Sequence, residues 1–353
     1  PLLSKADIQS DAAAFHSQNR PGRVITKTSG GSTGEPLTVI KSRYAWINEL
    51  AATWRGYNWA GIDIGDLQAS FWGVPLDGPG QWQAKLTDWI CHRIRCSAFS
   101  FDEQDIEDYW AELKASQPKY FYGYVSMLVE FAEHIRRSGQ PAETNPESII
   151  TTSEVLTDEA RQLLASVFDT RVFNEYGCGE IGTIAHECDA GSMHLSEENI
   201  YVEIVSEGRV CEPGESGEIV VTELNNRVMP LIRYRMGDYG SISSEPCSCG
   251  RSLRVLDGLY GRAYDFVYSS DGRRFHGEFM MYIFEGLKRD GVSLRQFQVR
   301  QQDIGKFLIR IVPEKDFDTA AQNKVIATIH EHVDANARVE FEMVDKIARE
   351  ASG

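Results

Sequence analysis

The residues best suited to chemistry fall into three groups along the 353-residue chain. The first is K-T-S-G-G-S-T-G-E-P-L at 27–37. Gly30, Gly31 and Gly34 let a backbone come close to a ligand. Their N–H groups, with the Ser29, Ser32 and Thr33 hydroxyls, make a cradle for phosphate oxygens. A Ser/Gly-rich surface turn is the plainer reading of the same composition. A Walker loop is excluded, because Glu35 follows Gly34 where Lys then Ser/Thr are needed. The second group is Cys188 and His194, spaced C-x5-H, with Cys247 and Cys249 in C-x-C-G. Thiolates and imidazole are zinc's preferred ligands and four of them close a tetrahedron. A structural zinc ion is therefore expected, with His186 as substitute ligand should His194 point away; buried free thiols and a surface His194 are the alternative. Cys91, Cys96, Cys178 and Cys211 have no partner pattern and are expected as small core residues. The third group sets acids beside glycines and aromatics: N-E-Y-G-C-G-E at 174–180 and Gly237-Asp238. Taken singly, Tyr176 reads as a core aromatic, Glu180 as a solvated helix-start acid and Gly237-Asp238 as a turn.

The elements that must position these groups follow from periodicity. A short helix is expected over 4–18 with Ser4 as cap, then a strand near 23–26 leading into the glycine loop. Residues 44–57 read as a helix, with Trp46, Ile47, Leu50, Ala51 and Trp54 forming an apolar stripe expected in the core. Strands at 120–126, 148–152 and 171–173 alternate with helices at 104–116, 127–137 and from 157 onward. Such alternation over 20–180 implies a largely parallel sheet with right-handed crossovers. After Gly182 the helices stop, and strands at 201–205, 217–224 and 230–234 read as an antiparallel β subdomain over about 199–258. Beyond Gly261, strands at 295–300, 305–312 and 337–344 with a helix over 318–336 suggest a small α+β module.

Composition narrows the partners. A formal net charge of −16 argues against nucleic acid or an anionic membrane surface, both of which want a basic face. No run of about 18 apolar residues is present, so no membrane span is expected. Seven cysteines, an odd number in a long chain without a charged-then-apolar leader, point to a reducing, cytoplasmic setting.

Read together and in order, these stretches resemble the adenylate-forming enzymes, and within them the phenylacetate–CoA ligase and CapK group. Ser29 to Pro36 match a phosphate loop that reads roughly S-S/G-G-T/S-T-G-x-P. Ser153 and Glu154 stand where the family places a turn against adenine. Residues 174–180 are similar to its Y-G-x-x-E segment, whose tyrosine stacks on adenine and whose glutamate holds Mg²⁺; here these are Tyr176 and Glu180. P-L-I-R-Y-R-M-G-D at 230–238 is similar to P-L-I-R-Y-x-x-G-D, whose aspartate takes the ribose hydroxyls. G-R-A-Y-D at 261–265 resembles the inter-domain hinge, which casts Asp265 as the pivot and brings Arg262 to the nucleotide. Alignment to the family places Trp72, Tyr122, Gly123 and Tyr124 at the acid substrate, and their aromatic density suits an aryl acid. Some relatives carry a similar Cys/His set.

The resemblance implies an α/β fold with two domains. The large one, 1–260, carries a mainly parallel sheet plus the antiparallel subdomain; the small, mobile α+β one is 261–353. Further helices are expected before Pro1, and the catalytic lysine immediately after Ser352-Gly353. The implied function is an ATP-dependent carboxylic acid ligase that forms an acyl-adenylate and passes the acyl group to CoA. Ser32, Thr33 and Glu180 are its expected catalytic groups, and Ser29–Gly34, Ser153, Glu154, Asn174–Gly177, Asp238 and Arg262 its nucleotide contacts. An amine or a carrier-protein thiol as acceptor, or a non-catalytic nucleotide-binding relative, are the alternatives, and a homodimer is left open.

Overall fold

The computed structural model describes the chain except residues 19–22, 29–36, 73–80, 98–100, 102, 263–265, 272–273, 277–279, 281–282, 285–286, 288–291, 316 and 348–353. It divides into two compact units, Pro1–Met236 with Gly240–Gly258, and Gly237–Tyr239 with Leu259–Glu350.

The first unit begins with α1 (Lys5–Ser10), capped by Ser4 in a reciprocal box with Asp7. The expected longer helix breaks at Asp11, whose side chain instead caps a 3₁₀ turn at Ala12–Phe15 by accepting from Ala14 N–H. Strands β1 (Val24–Thr28) and β2 (Thr38–Ser42) form an antiparallel pair in which Thr28 faces Thr38, so the glycine loop joins its two arms. Helix α2 (Arg43–Trp59) follows, capped by Ser42.

The sheet core is β3 (Gln68–Trp72), β4 (Arg93–Ser97), β5 (Tyr120–Tyr124), β6 (Ser148–Thr152) and β7 (Arg171–Cys178). These five are parallel in the spatial order β4-β3-β5-β6-β7. Every residue of β6 is buried, as both faces of a covered parallel strand must be. The crossovers are α3 (Gln81–Ile90), α4 (Glu103–Ser116), α5 (Val125–Ser138) and α6 (Asp158–Phe168). Helix α5 buries Met127, Leu128, Phe131 and Ile135 and ends at Gly139 in the left-handed region, a standard stop. Thr157 caps α6 by accepting from Ala160 N–H. On this side of the sheet Phe71, Phe121, Phe131 and Phe168 meet in one apolar cluster.

Strands continue past β7 with β8 (Gly182–Glu187), β9 (Met193–Leu195), β10 (Ile200–Ser206), β11 (Arg209–Val210), β12 (Ser216–Glu223), β13 (Tyr234–Ile242) and β14 (Val255–Arg262). The expected antiparallel subdomain is hydrogen-bonded into the same sheet, which counts twelve strands in the order β11-β10-β12-β13-β14-β9-β8-β7-β6-β5-β3-β4.

Two further local expectations fail. In α2 the stripe expected in the core is largely outward: Ile47 is 48% exposed, and the buried residues are Ala45, Ala52, Gly56 and Tyr57. Small residues won because the helix lies close to the strands, with Gly56 against the His186 ring. Residues 230–233 are irregular rather than strand, since Arg233 turns with φ 51° and β13 opens only at Tyr234.

The second unit is built on β17 (Ser293–Asp303), β18 (Lys306–Lys315) and β19 (Arg338–Met343), with β15 (Phe266–Tyr268) paired to β16 (Arg274–His276). Strand β17 runs antiparallel and β19 parallel to the central β18. Helix α7 (Thr319–His332), capped by Asp318, packs Val325 and Ile329 against Phe307, Ile309 and Ile311. Among the described residues no helix is long and apolar enough to cross a membrane.

Candidate functional site

In sequence order the chain lays down β3, then β4 on one side of it and β5 on the other. The strand order therefore reverses between β3 and β5, and a crevice opens at such a point outside the carboxyl ends of the strands. Trp72 ends β3, Tyr124 ends β5 and Tyr122 lies at its middle; the Trp72 ring stacks on Tyr122 at 5.5 Å and on Tyr124 at 4.5 Å between centroids. Gly123 has a structural reason to be glycine, because a Cβ there would overlap the Phe71 carbonyl of β3.

The next two strands bring more of the expected residues to the same edge. Ser153 follows β6 with φ 67°, a left-handed conformation uncommon outside glycine. Glu154 accepts from Ser126 N–H at 2.6 Å and Ser126 Oγ at 2.9 Å, so its carboxylate serves the first turn of α5. The N-E-Y-G-C residues lie on β7, and the pairing with β8 slips by a bulge at Tyr176/Gly177. Bulges re-aim side chains at sites of this kind. Asn174 N–H donates to Glu187 at 2.7 Å, and Asn174 Oδ1 accepts from Thr151 Oγ1. Tyr176 and Glu180 are buried, and the Tyr234 hydroxyl donates to Glu180 Oε1 at 3.4 Å.

Alternation along β7 turns Glu175 the opposite way from Asn174 and Tyr176, under α2. It is 7% exposed, and its Oε2 has no hydrogen-bond partner among the described residues. Burial pushes its pKa up to about 7, against the opposing pull of the Tyr57, Thr183 and Tyr122 hydroxyls. Sequence reasoning missed this set, along with buried Lys41 and its carboxylates Glu49 and Glu223. A lysine seven residues after a glycine loop carries no sign in the sequence that it is buried.

Asp238 stands within β13 and is half-buried, directly after Gly237 at φ 75°. Earlier in the same sequence motif, Arg233 Nε donates to Glu203, and Arg235 makes a forked pair with Glu218. Arg262 ends β14. Ser29, Gly30, Gly31, Ser32, Thr33 and Gly34 of the loop and Asp265 of the expected hinge lie outside the described residues.

The cysteine pattern does assemble. One ligand atom each from Cys188, His194, Cys247 and Cys249 lies within 4.8 Å of the others. Pairing of β9 with β14 accounts for this, because it sets His194 opposite Val255 just after the Cys247–Cys249 turn. Cys188 Sγ is 3.7 Å from Cys247 Sγ, and Cys249 Sγ is 3.2 Å from His194 Nε2. A tetrahedron with zinc–sulfur bonds of about 2.3 Å has edges of about 3.8 Å, so the donor set fits zinc. His194 Nδ1 lies 3.0 Å from the Leu253 carbonyl, which fixes the tautomer that leaves Nε2 for a metal. Backbone N–H groups of Ala190 and Cys249 approach the sulfurs of Cys188 and Cys247 at 3.4 Å. The Ser192 side chain and the Cys249 N–H hold the Cys247 thiol down at about 7, where it ionises readily.

His186 is not needed as substitute: it is buried against Tyr57 and Trp59, and burial pulls its pKa down to about 4. Of the cysteines expected in the core, Cys96 is buried, Cys178 and Cys211 are half-buried, and Cys91 is exposed just beyond the end of α3.

Comparison with known proteins gives four findings. Residues 267–353 match the CapK C-terminal domain family. Over its whole length the chain is 22% identical to the protein CapK of Staphylococcus aureus, covering 78% of that protein. It is also 25% identical to the phenylacetate-coenzyme A ligase of Pseudomonas putida over 68% of its own length, spanning about half (54%) of that enzyme. Among solved structures, 2-hydroxyisobutyryl-CoA ligase in complex with its acyl-AMP superposes with a TM-score of 0.75 over 99% of this chain and 78% of that one. At 20% identity that likeness is one of fold.

Proposed function

We propose that this chain is a member of the adenylate-forming superfamily, in its CapK and phenylacetate–CoA ligase group, and from that premise that it is an ATP-dependent ligase joining a carboxylic acid to CoA. What supports the reading above all is the clustering of Trp72, Tyr124, Ser153 and the Tyr176–Glu180 segment at one carboxyl edge of the parallel sheet, about its switch point. In the first half-reaction an acid carboxylate oxygen attacks the α-phosphorus of ATP, and the bond to pyrophosphate breaks. In the second, a CoA thiol adds to the acyl carbonyl and AMP departs with the electron pair of the C–O bond. Converting a carboxylate into an acyl-adenylate gives the second step a good leaving group.

Each residue has a part in this reading. The N–H groups and hydroxyls of Ser29–Gly34 receive the outer phosphates, and Ser32 and Thr33 orient them. Tyr176 offers its ring to adenine, Asp238 accepts from the ribose hydroxyls, and Trp72, Tyr122 and Tyr124 line the acid, which their planar faces match to an aryl class. Glu180 is a hard oxygen ligand suited to Mg²⁺, which when bound offsets the phosphate charge. Asp265 serves as the hinge. Cys188, His194, Cys247 and Cys249 hold a structural zinc ion, closed by four protein ligands and apart from the reacting atoms.

The test uses the full-length protein and measures acid-dependent pyrophosphate release across a panel of aryl acids, with CoA adduct formation followed by mass. Release and CoA thioester are expected for at least one aryl acid; no acid-dependent release, with no AMP binding in calorimetry, overturns the reading. In the same preparation, metal analysis is expected to find about one zinc per chain. Absence of zinc from protein made in zinc-replete medium removes the metal assignment alone.

A further inference from the structure

Lys41 has 0% exposure, which is unusual for a lysine, and its environment explains how. An ammonium has three protons and accepts nothing. Lys41 directs them to three separate elements: Glu49 Oε2 on α2 at 3.0 Å, Glu223 Oε1 at the end of β12 at 2.9 Å, and the Ile181 carbonyl at 2.7 Å. Two of these acceptors balance its charge. The third is neutral and belongs to the turn between β7 and β8, one residue beyond Glu180. Lys27, on the other arm of the β1–β2 hairpin, pairs with the remaining oxygen of Glu49. A single carboxylate thus grips both arms that the glycine loop connects.

The same turn is fitted to this arrangement from the other side. Gly182 has φ 93°, and a Cβ there would overlap the Glu49 carboxyl. Thr53 and Thr183 join hydroxyls at 2.8 Å one turn further along α2. A small cavity lined by Glu49, Ile181, Thr183 and Glu223 lies between these parts, and Glu223 Oε2 faces no partner among the described residues. Lys27, Lys41, Glu49 and Glu223 sum to zero charge, so the group can fasten a phosphate loop without adding a field of its own.

Resting on the function proposed above, we propose that Lys41 is a positioning residue for the triphosphate and its metal: it locks the outgoing arm of the glycine loop to the turn that carries Glu180. Loop and carboxylate act on the outer phosphates, whereas Tyr176 and Asp238 act on the adenosine end that AMP shares. Loss of Lys41 therefore separates ATP from AMP, which a general loosening of the fold does not do.

The experiment is calorimetric titration of Mg·ATP and of AMP into wild type, Lys41→Met and Lys41→Arg, with melting temperatures in parallel. Lys41→Met is expected to weaken Mg·ATP by about tenfold or more and leave AMP within about twofold, while Lys41→Arg regains most of the loss. Equal weakening of both ligands, or no change in either, overturns the proposal. Should Lys41→Met fail to fold, Glu49→Gln keeps the shape but can accept from only one of the two lysines and removes the shared charge. It is expected to show the same split at about threefold or more, and its absence overturns the proposal equally. Wild-type protein that binds neither nucleotide strikes the function itself, a result distinct from a wild type that binds both beside an unaffected variant.

Discussion

The two faces of the parallel sheet are made of different materials. Toward α4, α5 and α6 the strands present Phe71, Phe121, Ile149 and Val172 to Trp110, Phe131, Leu164 and Phe168, and the layer is apolar throughout. Toward α2 the strands present Ile150 and Phe173 in a smaller apolar cluster but also Tyr120, Tyr122, Glu175 and Thr183, and the elements over them hold Lys41, Glu49 and Thr53. One face is held by burial, which has no direction. The other adds to burial a set of hydrogen bonds and paired charges, which do. The apolar face decides that the layers meet; the polar face decides where the loop hairpin and the β7–β8 turn stand relative to each other.

The largest effect that probes this contrast is on the apolar side. Phe131→Ala is expected to cost about 3–5 kcal/mol of stability through the cavity it leaves. It should be read from urea unfolding, with AMP affinity of the folded protein unchanged. A loss below about 1 kcal/mol would mean that this face is not the main support.

On the polar side the sharper signal is in pH. Burial raises the folded-state pKa of Glu175 to about 7, from an ordinary 4.5. A carboxyl with a raised pKa contributes stability that is full below the unfolded value and is lost as pH rises through the folded value. Between about pH 5 and about pH 8 the wild type is thus expected to lose on the order of 3 kcal/mol from this group. Glu175→Gln should flatten that slope in urea midpoints taken across the range. An unchanged slope would show that Glu175 is not the titrating group. Smaller again is Thr53→Val, which leaves the Thr183 hydroxyl without its partner on α2. A cost of about 1 kcal/mol is expected, visible as a melting shift of about 2–4 °C. No shift would mark that hydroxyl pair as incidental.

What the sequence disclosed divides along the same line. Strand β6, the Ser4 cap and the start of a helix near 157 were legible because apolar runs and capping are local. The four zinc-type ligands were legible as residue types, and their meeting depended on a β9–β14 pairing that no local pattern announces. The buried side of α2 was not legible, since Ala45, Glu49, Ala52 and Gly56 look like a solvent face until Lys41 is known to lie beneath them. The Glu175 carboxyl's place under the helix was not legible either, since it follows from strand alternation beside the expected nucleotide segment. Glu154 was placed beside adenine by motif order, and its engagement with the start of α5 is a long-range contact.

The pairing of β14 with β9 also sets an order of events during synthesis. Met193 and His194 emerge about sixty residues before Leu256 and Val255, their partners. In the interval a nascent chain carries β9 as an open edge, the kind of unpaired strand that invites association with other chains. Cys188 and His194 are likewise exposed as half a ligand set until Cys247 and Cys249 arrive. Closure of this sheet edge therefore waits for β14, and on the proposed zinc assignment the four ligands come together at the same late stage.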